Sequence, residues 1–215
     1  MSDWPVSVIP NTLPCDVYKP SPKSVARSAF NLPEGVPLIL YGAMGGGNNP
    51  GKGWDLLREA LLLVSEAVAG CECVVFGQSA PRDPVSVNMP VHYTGHLHDD
   101  QSLAMLYSAA DVLVVPSRME AFGQTASESM ACETPVVAFD ATGLKDVVVH
   151  GETGYLARPY DAESLAEGMC WVLRDQERRR ELGLACRRRA LSRWAYDVVV
   201  PQYIAVYRSA IMAAS

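Results

Sequence analysis

The sequence predicts an α/β protein: a doubly wound, Rossmann-like parallel sheet with helices at its C-terminal end. Three observations carry this. Short apolar runs rich in β-branched residues recur with little alternation, as strands buried on both faces should. Amphipathic stretches of helical length separate them, which specifies parallel strands covered by helices. From Asp161 onward the pattern is helical throughout.

In order, the apolar runs are Val6–Ile9, Pro37–Ala43, Cys71–Gly77, Val91–Thr94, Asp111–Pro116 and Pro135–Asp140. Between them lie the expected helices Gly53–Ala69, Asp99–Ala110 and Gly123–Cys132. An irregular stretch with glycines at 143, 151 and 154 then reads as Val147–Val149 pairing with Tyr155–Ala157 around a turn at His150–Gly154. Helices follow over Asp161–Arg174, Gln176–Leu191 and Tyr196–Met212, the first opened by Asp161 with Ser164 ahead of Leu165. No Pro/Gly/Ser-rich linker divides the chain, so residues 1–215 are read as a single domain.

Composition narrows the function classes. A chain of 215 residues, 49% hydrophobic, 20% charged and 8% aromatic, is neither disordered nor collagen-like nor a disulfide miniprotein. A net charge of −6 argues against a general nucleic-acid binder. The six cysteines sit mostly in apolar runs and read as reduced, buried residues, without the Cys-x2-Cys spacing of a metal site. The start has no basic region followed by a long apolar stretch, and no run reaches the ~18 residues of a membrane span. A cytoplasmic protein is expected, with contact to a membrane surface left open. Residues 174–193 hold eight cations against three acids, either a solvated helix face or a patch for anionic headgroups.

In a doubly wound sheet ligands bind at the carboxyl ends of the strands, so the segments after each strand are where function is sought. Three stand out. Gly42–Gly53 is glycine-rich and puts Lys52 at a helix start, where N–H groups and the dipole already favour an anion. Without the ending of a P-loop it could also be a loop with a solvated lysine. Ser117–Cys132 should open a helix at Gly123 and Gln124, leaving the N–H groups of Gly123, Gln124 and Thr125 facing the strand ends. Glu120 precedes this helix and Glu128 lies about a turn and a half inside it. The two suit different parts of one elongated ligand, or else Glu120 is a favourable N-terminal acid and Glu128 a solvated helix residue. The third segment, Tyr93–His98, carries His96 and His98 either as metal ligands or as a loop offering backbone to a flat ligand.

In sequence order, Pro10-Asn11, the loop ending Lys52-Gly53, Tyr93-Thr-Gly-His96, Ala110–Ser117, Glu120-Ala-Phe-Gly with Glu128 eight residues on, Pro135-Val-Val-Ala and Gly151–Leu156 resemble the glycosyl transferases group 1. The likeness is to the C-terminal, donor-binding domain of retaining family-4 enzymes, one half of the two-domain GT-B architecture. It implies that Glu120 contacts the transferred sugar and that Glu128 holds the ribose hydroxyls of a nucleotide-sugar donor. It implies further that Lys52 neutralises the diphosphate, that Gly45 and Gly46 lie in the phosphate loop, and that Ala121, Phe122, Gly123, Gln124 and Thr125 hold sugar and phosphate. His96 and Leu97 would meet the base. Ala43 stands where the family carries an arginine; either another cation such as Arg118 assumes that role or donor affinity is lower. No Asp-x-Asp follows a strand, so no metal or other cofactor is expected.

The resemblance also implies a partner: an N-terminal acceptor-binding domain, or a partner chain, against which residues 193–215 would pack. The function expected is retaining glycosyl transfer to a glycan or other acceptor, this chain supplying the donor half. A nucleotide-binding module without its own catalysis, or a sugar-nucleotide epimerase, stands as the alternative. A glycan phosphorylase is disfavoured, since no motif for a pyridoxal lysine is present.

Overall fold

The computed structural model describes residues 6–42, 49–83 and 86–213. Its strands are β1 (Leu38–Gly42), β2 (Glu72–Phe76), β3 (Val91–Gly95), β4 (Val112–Val115), β5 (Val136–Phe139) and β6 (Gly154–Ala157). All pair in parallel, in the order β3-β2-β1-β4-β5-β6. This is the doubly wound arrangement expected, and its strand order reverses between β1 and β4.

Helices α1 (Lys23–Ala29), α2 (Trp54–Ala67), α3 (Asp100–Ala109), α4 (Gln124–Ala131), α5 (Leu144–Val147), α6 (Ala162–Leu173), α7 (Gln176–Arg193) and α8 (Tyr196–Ala213) surround the sheet. The continuous apolar runs have a simple cause: alternate residues of one strand enter different cores. Leu38, Leu40, Leu113 and Val136 meet α3, α4 and α7 on one face, whereas Ile39, Tyr41, Val112 and Val137 meet α2 and α6 on the other. Asp99, Asp161 and Asp175 cap α3, α6 and α7, each accepting from an N–H three residues on. All six cysteines are free and buried, as expected of them.

Two local expectations need correction, and one helix lies outside those the sequence predicts. Val6–Ile9 forms no strand; Val6 and Val8 are 84% and 93% exposed, and the chain first joins the body where Leu13 N–H donates to Trp194 O. The pairing of Val147–Val149 with Tyr155–Ala157 does not form either. Val147 ends the short α5 and is buried, while Gly154–Ala157 takes up the open edge of β5 instead. The expected turn survives, with Gly151 N–H donating to Gly154 O at 2.9 Å. Helix α1 lacks an apolar period and arises from tertiary contacts, chiefly of the buried Arg27, whose guanidinium reaches Ala109 O, Pro33 O, Val36 O and Asp111.

Candidate functional site

The site forms at the carboxyl ends of β1 and β4, the crevice where the strand order reverses. A 3₁₀ turn, Pro50–Lys52, carries the lysine, and Asn49 Oδ1 closes it by accepting from Gly51 N–H at 3.0 Å. Gly53 follows with φ +69°, and a Cβ there would stand 2.0 Å from Pro116 O. No side chain fits between this turn and the end of β4. The two segments are also tied by Arg118 N–H donating to Gly51 O at 2.9 Å. The outcome is an ion pair between residues far apart in sequence: Lys52 Nζ lies 2.7 Å from Glu120 Oε1. Beside them is a cavity of about 40 Å³, lined among others by Tyr41, Phe76, Ser117 and Thr125.

The backbone of Glu120 is held at both ends. Its N–H donates to Thr142 Oγ1 at 3.2 Å, and its carbonyl accepts from Gly143 N–H at 2.9 Å. The chain crosses so closely that a Cβ on Gly143 would come within 2.3 Å of Ala121 O. On the other side Tyr160 Oη donates to Arg118 O at 3.1 Å. The Arg118 guanidinium makes a two-pronged contact with Asp55, at 2.9 and 2.6 Å, and donates to Pro50 O. That hydrogen bonding holds the Asp55 carboxyl below the usual carboxylate range. Arg118 thus has an anion already; serving a diphosphate would cost it that pair.

Helix α4 starts beside the ion pair. Gly123 caps it with φ +90° and no side-chain cap, and the N–H groups of Ala126 and Ser127 both donate to Gly123 O. The N–H groups of the preceding positions are those a helix start leaves without intrahelical partners. Phe122 packs edge-on to the buried Trp194, with centroids 5.9 Å apart. Glu128 is no solvated residue: it is 7% exposed and accepts at Oε2 from the fully buried Tyr107 hydroxyl at 2.9 Å. Burial pushes its carboxyl above the usual range, while hydrogen bonds from Tyr107 and Gln124 pull the other way.

After β3, His96 and His98 are exposed with rings 6.5 Å apart, and Leu97 packs against the core. Among the described residues no group of three or more His, Cys, Asp and Glu is placed to hold a metal ion. Gly45, Gly46 and Ala43 lie outside the described residues. A groove of about 1040 Å³ lies at the opposite, amino ends of the central strands, around Lys23, Arg27 and Asp111. Polar chemistry, helix start and crevice coincide at the small cavity, which makes it the candidate site. Much of the basic run at 174–193 is no solvated face. Arg187 donates to Tyr18 O, Ala131 O and Cys15 O, Arg189 to Val147 O and Asp146 O, and Arg179 to Leu173 O. No helix of the described residues is long and apolar enough to cross a membrane.

The structure therefore brings Lys52, Glu120, Arg118, Gly123 and Thr125 to one crevice, with Glu128 behind the same helix start. Sequence reasoning missed Asp55, Tyr107, Thr142 and Tyr160. Gly143 stands out in the sequence only as one of the glycines of an irregular stretch; its neighbour Thr142, at φ +52°, carries no sequence signal for that conformation.

Residues 26–189 match the family model described as glycosyl transferases group 1. A D-inositol 3-phosphate glycosyltransferase of Xylanimonas cellulosilytica is 32% identical over 95% of this chain and 51% of its own length. Among solved structures, a sucrose-phosphate synthase from Thermosynechococcus elongatus superposes with a TM-score of 0.79 at 32% identity, covering 96% of this chain and 53% of that one. The C-terminal domain of a glycosyl transferase group 1 family protein from Francisella tularensis shares the fold, with a TM-score of 0.68 at 22% identity, and is covered over 98% of its length. The chain spans about half the length of the curated relatives it matches.

Proposed function

The chain belongs to the glycosyl transferases group 1, and from that membership we propose that it binds a nucleotide-sugar donor for an anomer-retaining glycosyl transfer. The observation that carries the reading is the Lys52–Glu120 pair, 2.7 Å apart, beside the start of α4 at the reversal of strand order. Departure of a nucleoside diphosphate builds negative charge on its terminal phosphate and positive charge on the sugar ring. Lys52 and the N–H groups at the start of α4 oppose the first. Preorganised donors of this kind commonly supply much of the rate gain. Glu120, its backbone fixed by Thr142 and Gly143, takes the sugar hydroxyls and stays close enough to Lys52 to exchange partners as the donor enters.

Glu128 takes the ribose hydroxyls, and the loop at His96 and Leu97 takes the base. No side chain is assigned as nucleophile; the acceptor attacks from the face of the leaving group. It is held by a second domain or partner chain, against which the apolar residues of α8 pack. Tyr203, Tyr207 and Ile211 are exposed on this helix by 39%, 64% and 67%.

The diphosphate is neutralised here by a lysine and helix N–H groups. Isothermal titration of the chain with UDP, GDP and ADP in EDTA should therefore give saturable binding to at least one nucleotide. Adding Mg²⁺ should change that affinity less than threefold. Binding abolished by EDTA and restored by Mg²⁺ or Mn²⁺ would mean that the phosphate site has been misread.

A further inference from the structure

The feature the transfer chemistry leaves unexplained is the polar cluster buried behind Glu128. Tyr107 on α3 is fully buried, yet its hydroxyl is spent on Glu128 Oε2 at 2.9 Å. Its ring is locked edge-on to Phe76, centroids 5.8 Å apart, and its carbonyl accepts from Thr134 Oγ1 at 2.7 Å. Tyr18, 3% exposed, packs on Tyr107 with centroids 6.4 Å apart and donates its own hydroxyl to Asp100 at 3.0 Å. A hydrophobic residue in place of Tyr107 would satisfy the packing; the hydroxyl is there for the carboxylate.

We propose that Tyr107 is a positioning residue, fixing the orientation of the buried Glu128 carboxylate toward the two hydroxyls of a ribose, so that the site selects ribonucleotide donors. The inference rests on the ribose role proposed above for Glu128. A carboxylate offers about four lone-pair directions. With Oε2 anchored by the Tyr107 hydroxyl the carboxylate is held in one orientation, and the lone pairs that Tyr107 and Gln124 do not take are left for a vicinal diol. The anchor matters more because burial already disfavours the charge. Removing a hydrogen bond to the ionised form would push the Glu128 carboxyl further up. The groups facing it are Tyr107 and Asp100 from α3, Tyr18 from the segment before α1, and Gln124 on its own helix; Cys132, at the end of α4, acts on the two tyrosines. Burial and the Glu128 charge hold the Tyr107 hydroxyl well above its ordinary value, so it remains a donor over the whole working range.

The test compares UDP, GDP and ADP with their 2′,3′-dideoxy forms on the wild-type chain, Tyr107→Phe and Glu128→Gln, by calorimetric titration between pH 5 and 8. Thermal melting verifies that each variant is folded. In Tyr107→Phe, affinity for the ribonucleotide that binds best should fall about tenfold at neutral pH while its dideoxy form is unaffected. The acid limb of its affinity profile, where Glu128 protonates and the diol contact is lost, should move to higher pH. Equal losses for both nucleotide forms, or an unmoved acid limb, would overturn the positioning role. Failure of the underlying reading looks different. Glu128→Gln would then keep its preference for ribose over dideoxyribose, or none of the three nucleotides would bind the wild-type chain.

Discussion

Lys52→Ala should weaken nucleoside diphosphate binding by about 1.5–3 kcal/mol, roughly ten- to a hundredfold. The lysine is held by the turn at Pro50–Lys52, whose close approach to Pro116 depends on Gly53. Its removal takes away the only full positive charge that contacts Glu120 in the described crevice. It also leaves that carboxylate uncompensated where a diphosphate would sit, which drives the effect toward the upper end. Fold stability should hardly change. The pair is 31% and 18% exposed, and partly exposed pairs contribute at most ~1 kcal/mol. Titration beside a thermal melt separates the two effects. A variant that bound nucleotide as tightly as the wild type would remove Lys52 from the phosphate site.

A larger effect, of another kind, is expected from Asp111→Ala, about 3–5 kcal/mol of lost stability. Asp111 immediately precedes β4, at the amino ends of the central strands away from the crevice, and is only 7% exposed. Its Oδ2 accepts from Arg27 and from Leu38 N–H, both at 2.8 Å, and Oδ1 meets Lys23 at 2.7 Å. Arg179 approaches to 3.7 Å. The alanine variant strands the Arg27 guanidinium, 3% exposed, without its anion and orphans a backbone donor of β1. Domains of this size hold only about 5–15 kcal/mol in total, so the urea midpoint should fall far. Lys23→Ala, removing the most exposed partner, should cost under ~1 kcal/mol. A loss below ~1 kcal/mol for Asp111→Ala would mean that this cluster does not organise the amino edge of the sheet.

Sequence and structure diverge for reasons visible at particular residues. Leu38–Gly42 and Val112–Val115 were legible because both faces of each strand are covered, so burial leaves an unbroken apolar run. Val6–Ile9 shows the same local pattern without a sheet edge to join, and periodicity contains no information about that. The edge strand β6 reads as half of a local pairing because its turn is real, whereas its true partner, β5, lies further upstream, beyond α5. The arginines of α7 resembled a solvated face, since which carbonyl a guanidinium finds is a tertiary matter.

The site divides in the same way. Lys52 and Glu120 could be found because each lies in a segment that follows a strand, and Glu128 because it stands eight residues after Glu120 on the helix that segment opens. Asp55, Tyr107 and Thr142 could not, since only the winding of the sheet brings them to Arg118, Glu128 and Glu120 respectively.

The division of labour in the crevice is tested most directly by Glu120→Ala, titrated with a bare nucleoside diphosphate and with its sugar derivative. Glu120 occupies Lys52 at 2.7 Å, so a diphosphate entering the wild-type site competes with this carboxylate. Deleting it frees the lysine. Affinity for the bare nucleotide should rise, by up to about fivefold given the modest strength of a partly exposed pair. Affinity for the sugar nucleotide should instead fall, by about tenfold, because the hydrogen bonds to the sugar hydroxyls are lost. Opposite signs for the two ligands are the predicted result. Equal losses for both would contradict it, and with it the assignment of this crevice to a nucleotide-sugar donor held by Lys52 at the phosphate and Glu120 at the sugar.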